Sequence, residues 1–153
     1  MKSTLIIVGV VLVMAAIIAG AIWKFRAIAQ AEAEADATVM TPYLELLQQG
    51  KAEEAWEKYT TPAFKARFSR EAYARAISAL GQEQGSLKSW RRTLCNEISE
   101  PGRGTYLRMK YIVTWDKGDR VTTWDVLKLD GGGFAIDASY NVPAGGGLEP
   151  APR

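Results

Sequence analysis

Three hydrophobic patterns follow one another along the chain. Leu5 to Trp23 reads LIIVGVVLVMAAIIAGAIW, apolar throughout, with no charge and no proline. As a helix it would rise ~28 Å, close to the hydrocarbon thickness of a bilayer. From Lys24 to about Gly85 the apolar residues recur at helical spacing. From Leu87 the period falls to two, the spacing of strands with one buried face.

The helical stretch is well punctuated. Residues 24–40 (KFRAIAQAEAEADATVM) are rich in Ala and Glu, strong helix formers, and predict a helical stalk. Unbroken from Leu5 to Met40, that helix would run ~54 Å. Glu32 and Asp36 fall on one face at i,i+4 and read as a solvated face. Thr41-Pro42 predicts a cap with proline in the first turn. Tyr43, Leu44, Leu46 and Leu47 follow as the apolar face, and Gly50 as the stop. Ala52, Ala55, Trp56 and Tyr59 mark a second short helix. Thr61-Pro62 repeats the cap before AFKARF. Ser69 opens a longer helix, with Ala72, Tyr73, Ala76, Ile77 and Leu80 inward and Gly81 at its end.

Strands are expected at about 87–99, 105–116, 121–130 and 134–141. Their separators, Pro101-Gly102-Arg103-Gly104, Lys117-Gly118-Asp119 and Gly131-Gly132-Gly133, are short enough for hairpins. Leu107, Met109, Tyr111, Val113 and Trp115 alternate with Arg108, Lys110, Thr114 and Asp116. The third strand is apolar on both faces, with Trp124 and Val126 on one and Leu127 and Leu129 on the other. Helices followed by an antiparallel meander define an α+β class, with the helices packed on a curved four-stranded sheet. The expected division is a tail (1–4), a transmembrane helix (5–23), a stalk (24–40), an α+β domain (41–142) and a low-complexity, unstructured tail (143–153).

The flanks of the apolar run suit an anchor. Trp23 would sit at headgroup level, with Lys24 and Arg26 in water beyond it. The competing reading is a cleaved signal peptide ending at Ala29-Gln30-Ala31. Against it, the run exceeds a typical signal core, and Phe25 and two cations separate it from that site. Lys2 and the amino terminus balance Lys24 and Arg26, so charge alone leaves orientation open. Ala16-x-x-x-Gly20 is a small-xxx-small pair that would let another membrane helix approach closely.

Composition removes several functions. The 153 residues include 19 bases and 17 acids, and all but Lys2 of these charges lie beyond residue 23. The soluble part is therefore near neutral, which argues against nucleic acid. The chain has no His, so the commonest general base and metal ligand is missing. Cys95 is the only cysteine and reads as a buried, inert thiol. Gly131–Gly133 joins two strands and lacks the Lys-Ser/Thr and helix of a phosphate loop. Lys88, Trp90, Arg91 and Arg92 mix basic and aromatic residues, a patch read first as a solvated strand face and next as a contact for lipid headgroups or an acidic protein.

Three stretches carry a resemblance: LLQQGKAEEAWEKYTTPAFKARFSREAYARAI, GSLKSWR, and WDVLKLDGGGFAI from Trp124 to Ile136. Over residues 40–141 the chain resembles uncharacterised bacterial domains with a cystatin-like roll, related to nuclear transport factor 2. The resemblance implies an exported or membrane-anchored domain whose curved sheet wraps the helices around a cone-shaped pocket. It implies no catalytic residue and no cofactor. On the notion of an isomerase-like cone, Arg92, Tyr111, Asp125 and Tyr140 are the candidate pocket or ion-pair residues, with Asp137 facing water. Arg92 is expected on one strand face with Trp90, Leu94 and Ile98, paired with an acid. Two functions follow as expectations. One is a non-enzymatic subunit of a larger membrane complex, in contact with lipid and other membrane subunits. The other is a tethered periplasmic domain binding a small ligand or peptide.

Overall fold

The apolar run is helical. A computed structural model describes residues 2–142, with side chains over 13–140. The expected tail from Pro143 and the side chains of Leu5 to Leu12 lie outside the described residues. Helix α1 runs Lys2–Ala35. It is the one described helix long and apolar enough to cross a membrane. Its side chains from Val13 to Ala27 are exposed, and Trp23 and Phe25 are each 74% accessible. An apolar helix this exposed belongs in lipid or against another helix. The chain divides into two compact units, Met1–Ala33 and Glu34–Arg153.

Within the second unit the backbone does not break at Thr41-Pro42. A π-helical turn, Asp36–Met40, leads directly into α2, Thr41–Gln48. Thr41 is itself helical, and its N–H donates to the Asp36 carbonyl five residues back. Thr41 is therefore no N-cap, contrary to its local signal. The extra residue in the turn makes room for the Pro42 ring, which would otherwise strike the carbonyl four residues earlier. Burial of Ala35, Val39, Met40, Tyr43 and Leu44 along this continuous segment outweighs the local tendency to start afresh.

Gly50, at φ +75°, ends α2. The short helices α3 (Ala52–Tyr59) and α4 (Pro62–Arg67) follow, the latter capped by Thr61, whose hydroxyl accepts the Phe64 N–H at 3.0 Å. Helix α5 spans Arg70–Gln84, with the Ser69 hydroxyl accepting from Ala72. It passes through Gly81 and stops at Gly85, because Gln82, Glu83 and Gln84 are good helix formers. Gly85 takes φ +84°, and a Cβ there would come within 2.5 Å of Asp116. Only glycine fits where the helix turns into the sheet.

Strands β1 (Leu87–Glu100), β2 (Gly104–Trp115), β3 (Gly118–Lys128) and β4 (Phe134–Val142) form an open antiparallel meander in the order β1-β2-β3-β4. The third strand starts earlier and ends earlier than its composition suggests, leaving Leu129 in the turn before β4. Leu107, Met109, Tyr111 and Val113 of β2, with Trp124 and Val126 of β3 and Ile136 of β4, are buried with the helices' apolar side chains. Trp124 meets Tyr43 and Tyr111 edge to face at 6.2 and 5.5 Å. The fold is α+β as expected, its sheet open rather than closed.

Candidate functional site

Two irregularities in the sheet decide where the polar side chains go. In β1 the register shifts between Arg92 and Leu94. Trp90 and Arg92 lie beside core-facing Val113 and Tyr111, whereas Leu94 and Ile98 lie beside Lys110 and Tyr106 on the opposite face. The expected common face for Trp90, Arg92, Leu94 and Ile98 is thus split by a bulge. In β4 the register shifts opposite Asp125 and Val126, leaving Asp137 as the extra residue. Asp137 does not face water; it is buried beside Ile136 and Ala138.

The four candidate pocket residues consequently fall into two clusters. On the helix-facing side, Asp36 of the π turn accepts from Tyr111 Oη at 2.6 Å and pairs with Arg92 at 3.0 Å. Asp36 is therefore no member of a solvated acidic face. Burial, then this hydrogen bond, raises the Tyr111 pKa, so the phenol keeps its proton. Both charges are about one-third exposed.

On the opposite side, Asp125 is completely buried. Arg108 grips it with Nε at 2.8 Å and Nη2 at 3.0 Å, and Arg103 reaches it at 2.9 Å. Tyr140 Oη donates to it at 3.3 Å. The same Arg103 holds Asp137 at 2.9 Å, and Thr61 donates to Asp137 at 2.7 Å. Arg67 donates to the Asp137 main-chain carbonyl. The Arg103 guanidinium lies 4.2 Å from the Tyr106 ring centroid. Burial works against the charge on Arg103, but Asp137 and Asp125 outweigh it and raise its pKa. For Arg108 the hydrogen bonds it donates to Asp125 dominate and raise it likewise. Arg103 and Arg108 were invisible to motif reasoning, a turn arginine and an alternating surface arginine, and Asp137 was expected in water. The one legible sign was Asp137 between two apolar neighbours.

The chemistry of this arrangement is structural. A general base must reach its substrate, and Asp125 is completely buried. Both oxygens of Asp125 already accept from arginines. Tyr111 and Asp125, which an isomerase-like site would join, stand on opposite faces of the sheet. Among the described residues, no group of three or more His, Cys, Asp or Glu is placed to hold a metal. Cys95 is half-buried rather than fully buried.

A separate cavity of about 220 Å³ opens between α5 and the sheet, lined by Tyr43, Phe64, Tyr73, Ile77, Leu80, Val113 and Trp124 among others. Of the apolar α5 positions only Tyr73 is fully buried, because the others border this space. The Tyr43 and Tyr73 hydroxyls are hydrogen-bonded to each other at its wall. Burial raises the pKa of both. The Trp124 indole N–H is close enough to Tyr43 to act on its pKa, yet makes no hydrogen bond of ordinary geometry. Along α1, Ala16, Gly20, Trp23, Lys24 and Arg26 are all exposed, and nothing lies within 4 Å of where a Gly20 Cβ would be. No protein-family model and no curated protein matches the chain.

Proposed function

We propose that this chain is a single-pass membrane protein acting as a non-enzymatic accessory subunit of a larger membrane complex. The observation that carries the reading is α1: a long apolar helix exposed from Val13 to Ala27, with the small residues Ala16 and Gly20 among the exposed positions. The domain's ionisable groups support it, since Asp36, Asp125 and Asp137 are all engaged in holding elements together. In this reading α1 crosses the inner membrane of a bacterium with its amino terminus in the cytoplasm. The domain, a cystatin-like roll, stands in the periplasm, and α1 meets the lipid headgroups at Trp23, Lys24 and Arg26.

Extraction in mild detergent followed by native electrophoresis tests the proposal. A particle holding a second, different protein is expected, and Ala16→Leu with Gly20→Leu should release the chain from it. A particle made of this chain alone overturns the reading.

A second reading has its own observation. The apolar cavity beside the unpartnered Trp124 N–H suits a small apolar ligand carrying one hydrogen-bond acceptor. A tethered binding domain would run as a particle free of other proteins and release such a ligand on denaturation.

A further inference from the structure

The geometry points to the free edge of β1 as a self-association surface, pairing antiparallel with β1 of a second copy. β1 is fourteen residues long and, among the described residues, hydrogen-bonds as a strand to β2 alone, so alternate amides and carbonyls face outward along its other side. Gln48 donates to the carbonyls of Leu87 and Lys88, at the very start of this edge. The opposite edge of the sheet is partly covered, because Thr60 bridges to Ile136 and the Thr61 N–H donates to the Ile136 carbonyl.

The occupant follows from the order of residues on the strand. The bulge after Arg92 places Arg91, Leu94, Asn96 and Ile98 on the face away from the helices, beside Ile112, Lys110, Arg108 and Tyr106. Glu100, at the strand's end, falls on the same face. Leu94 is 47% accessible, a large apolar side chain with no cover. This face therefore reads cation, apolar, amide, apolar, anion. A copy of the strand laid antiparallel with Asn96 opposite Asn96 sets Leu94 against Ile98 and Arg91 against Glu100, twice each by symmetry. An apolar centre closed at both ends by opposite charges is the anatomy of a specific interface. A parallel copy would oppose like charges. Isolated charges on an edge strand commonly repel partners. Here the segregation of base and acid to opposite ends selects an inverted copy of the same strand.

The inference does not rest on the subunit reading, because two copies can pair within a larger particle or alone. Its test uses the full chain in detergent micelles, with p-benzoylphenylalanine replacing Asn96 for photo-crosslinking. A control carries the same group at Ser78, an exposed site on α5. A crosslink from residue 96 into β1 of a second copy, absent from the Ser78 control, is expected. Arg91→Glu should weaken the dimer about tenfold, as opposed charges become like charges at two symmetric places. Glu100→Arg added to Arg91→Glu should restore most of that affinity. Because Glu100 also accepts from Tyr106 and pairs with Arg103 at 3.6 Å within its own chain, Leu94→Lys provides an independent disruption that leaves the monomer's core untouched. No crosslink above the control, or one landing outside β1, overturns the proposal. So does a dimer that survives Arg91→Glu and Leu94→Lys unchanged, which would be held by α1 instead.

Discussion

Asp36 and Asp125 are both carboxylates gripped by arginine and tyrosine, on opposite faces of one sheet. Their surroundings make them different devices. Asp125 has no solvent contact and takes hydrogen bonds from Arg103, Arg108 and Tyr140, joining β3 to β2 and to the β1–β2 turn. Asp36 and Arg92 keep about a third of their surface in water, and their link joins the π turn to β1 and β2. A buried charge without a partner costs far more than a half-exposed one, which water can reclaim. The outer cluster is therefore a lock, and the inner one a weaker fastening.

The largest effect should come from stranding the buried acid. Replacing Arg103 and Arg108 together by Met leaves Asp125 with Tyr140 alone and should cost about 4 kcal/mol. Denaturant unfolding of the domain measures it. Adding Asp125→Val should recover part of that loss, since an apolar trio can replace a buried ion cluster, while Asp137 still lacks Arg103. If the triple variant is no more stable than the double, Asp125 is not the stranded charge. A smaller effect is expected at the inner cluster. Asp36→Ala should cost about 1 kcal/mol, since its partners can turn to solvent. A loss as large as that of the double arginine variant would erase the distinction between lock and fastening.

Much of this architecture is legible in the residues themselves. The meander follows from alternation in β2, and caps at Thr61 and Ser69 mark the starts of α4 and α5. What misleads is local evidence that tertiary packing overrules. Thr41-Pro42 carries a sound start signal, yet burial of Val39 and Met40 before it and Leu44 after it keeps the helix continuous. Bulges hide more. One extra residue in β1 reverses Leu94, and another in β4 turns Asp137 inward, because alternation assumes an even ladder. Arg103 has no sequence sign at all, since its two acids come from strands more than twenty residues away. The site was thus legible in part as single residues, with Arg92 rightly expected to pair with an acid. Its grouping was not.

The tyrosines of the two clusters sharpen the comparison at the smallest scale. Burial first, and then the bond to Glu100, pushes Tyr106 up to about 12. Burial, and then Asp36, also raises Tyr111. A phenol whose pKa is higher in the folded chain than in the unfolded one favours folding while neutral. Its contribution is fully present below the ordinary tyrosine value of about 10 and is lost as pH climbs past it. Stability should therefore hold steady up to that point and fall above it. Phenolate absorbance, followed beside circular dichroism, separates the faces. Tyr106 should titrate near 12 if the domain is still folded there, whereas Tyr111 should ionise only as the domain unfolds. Asp36→Asn removes the carboxylate's share and leaves burial, the largest cause, in place, so Tyr111 should still titrate above the ordinary tyrosine value. If Asp36→Asn instead brings Tyr111 back to an ordinary titration in the folded state, the carboxylate rather than burial governs that phenol. The inner cluster would then be the stronger electrostatic device of the two.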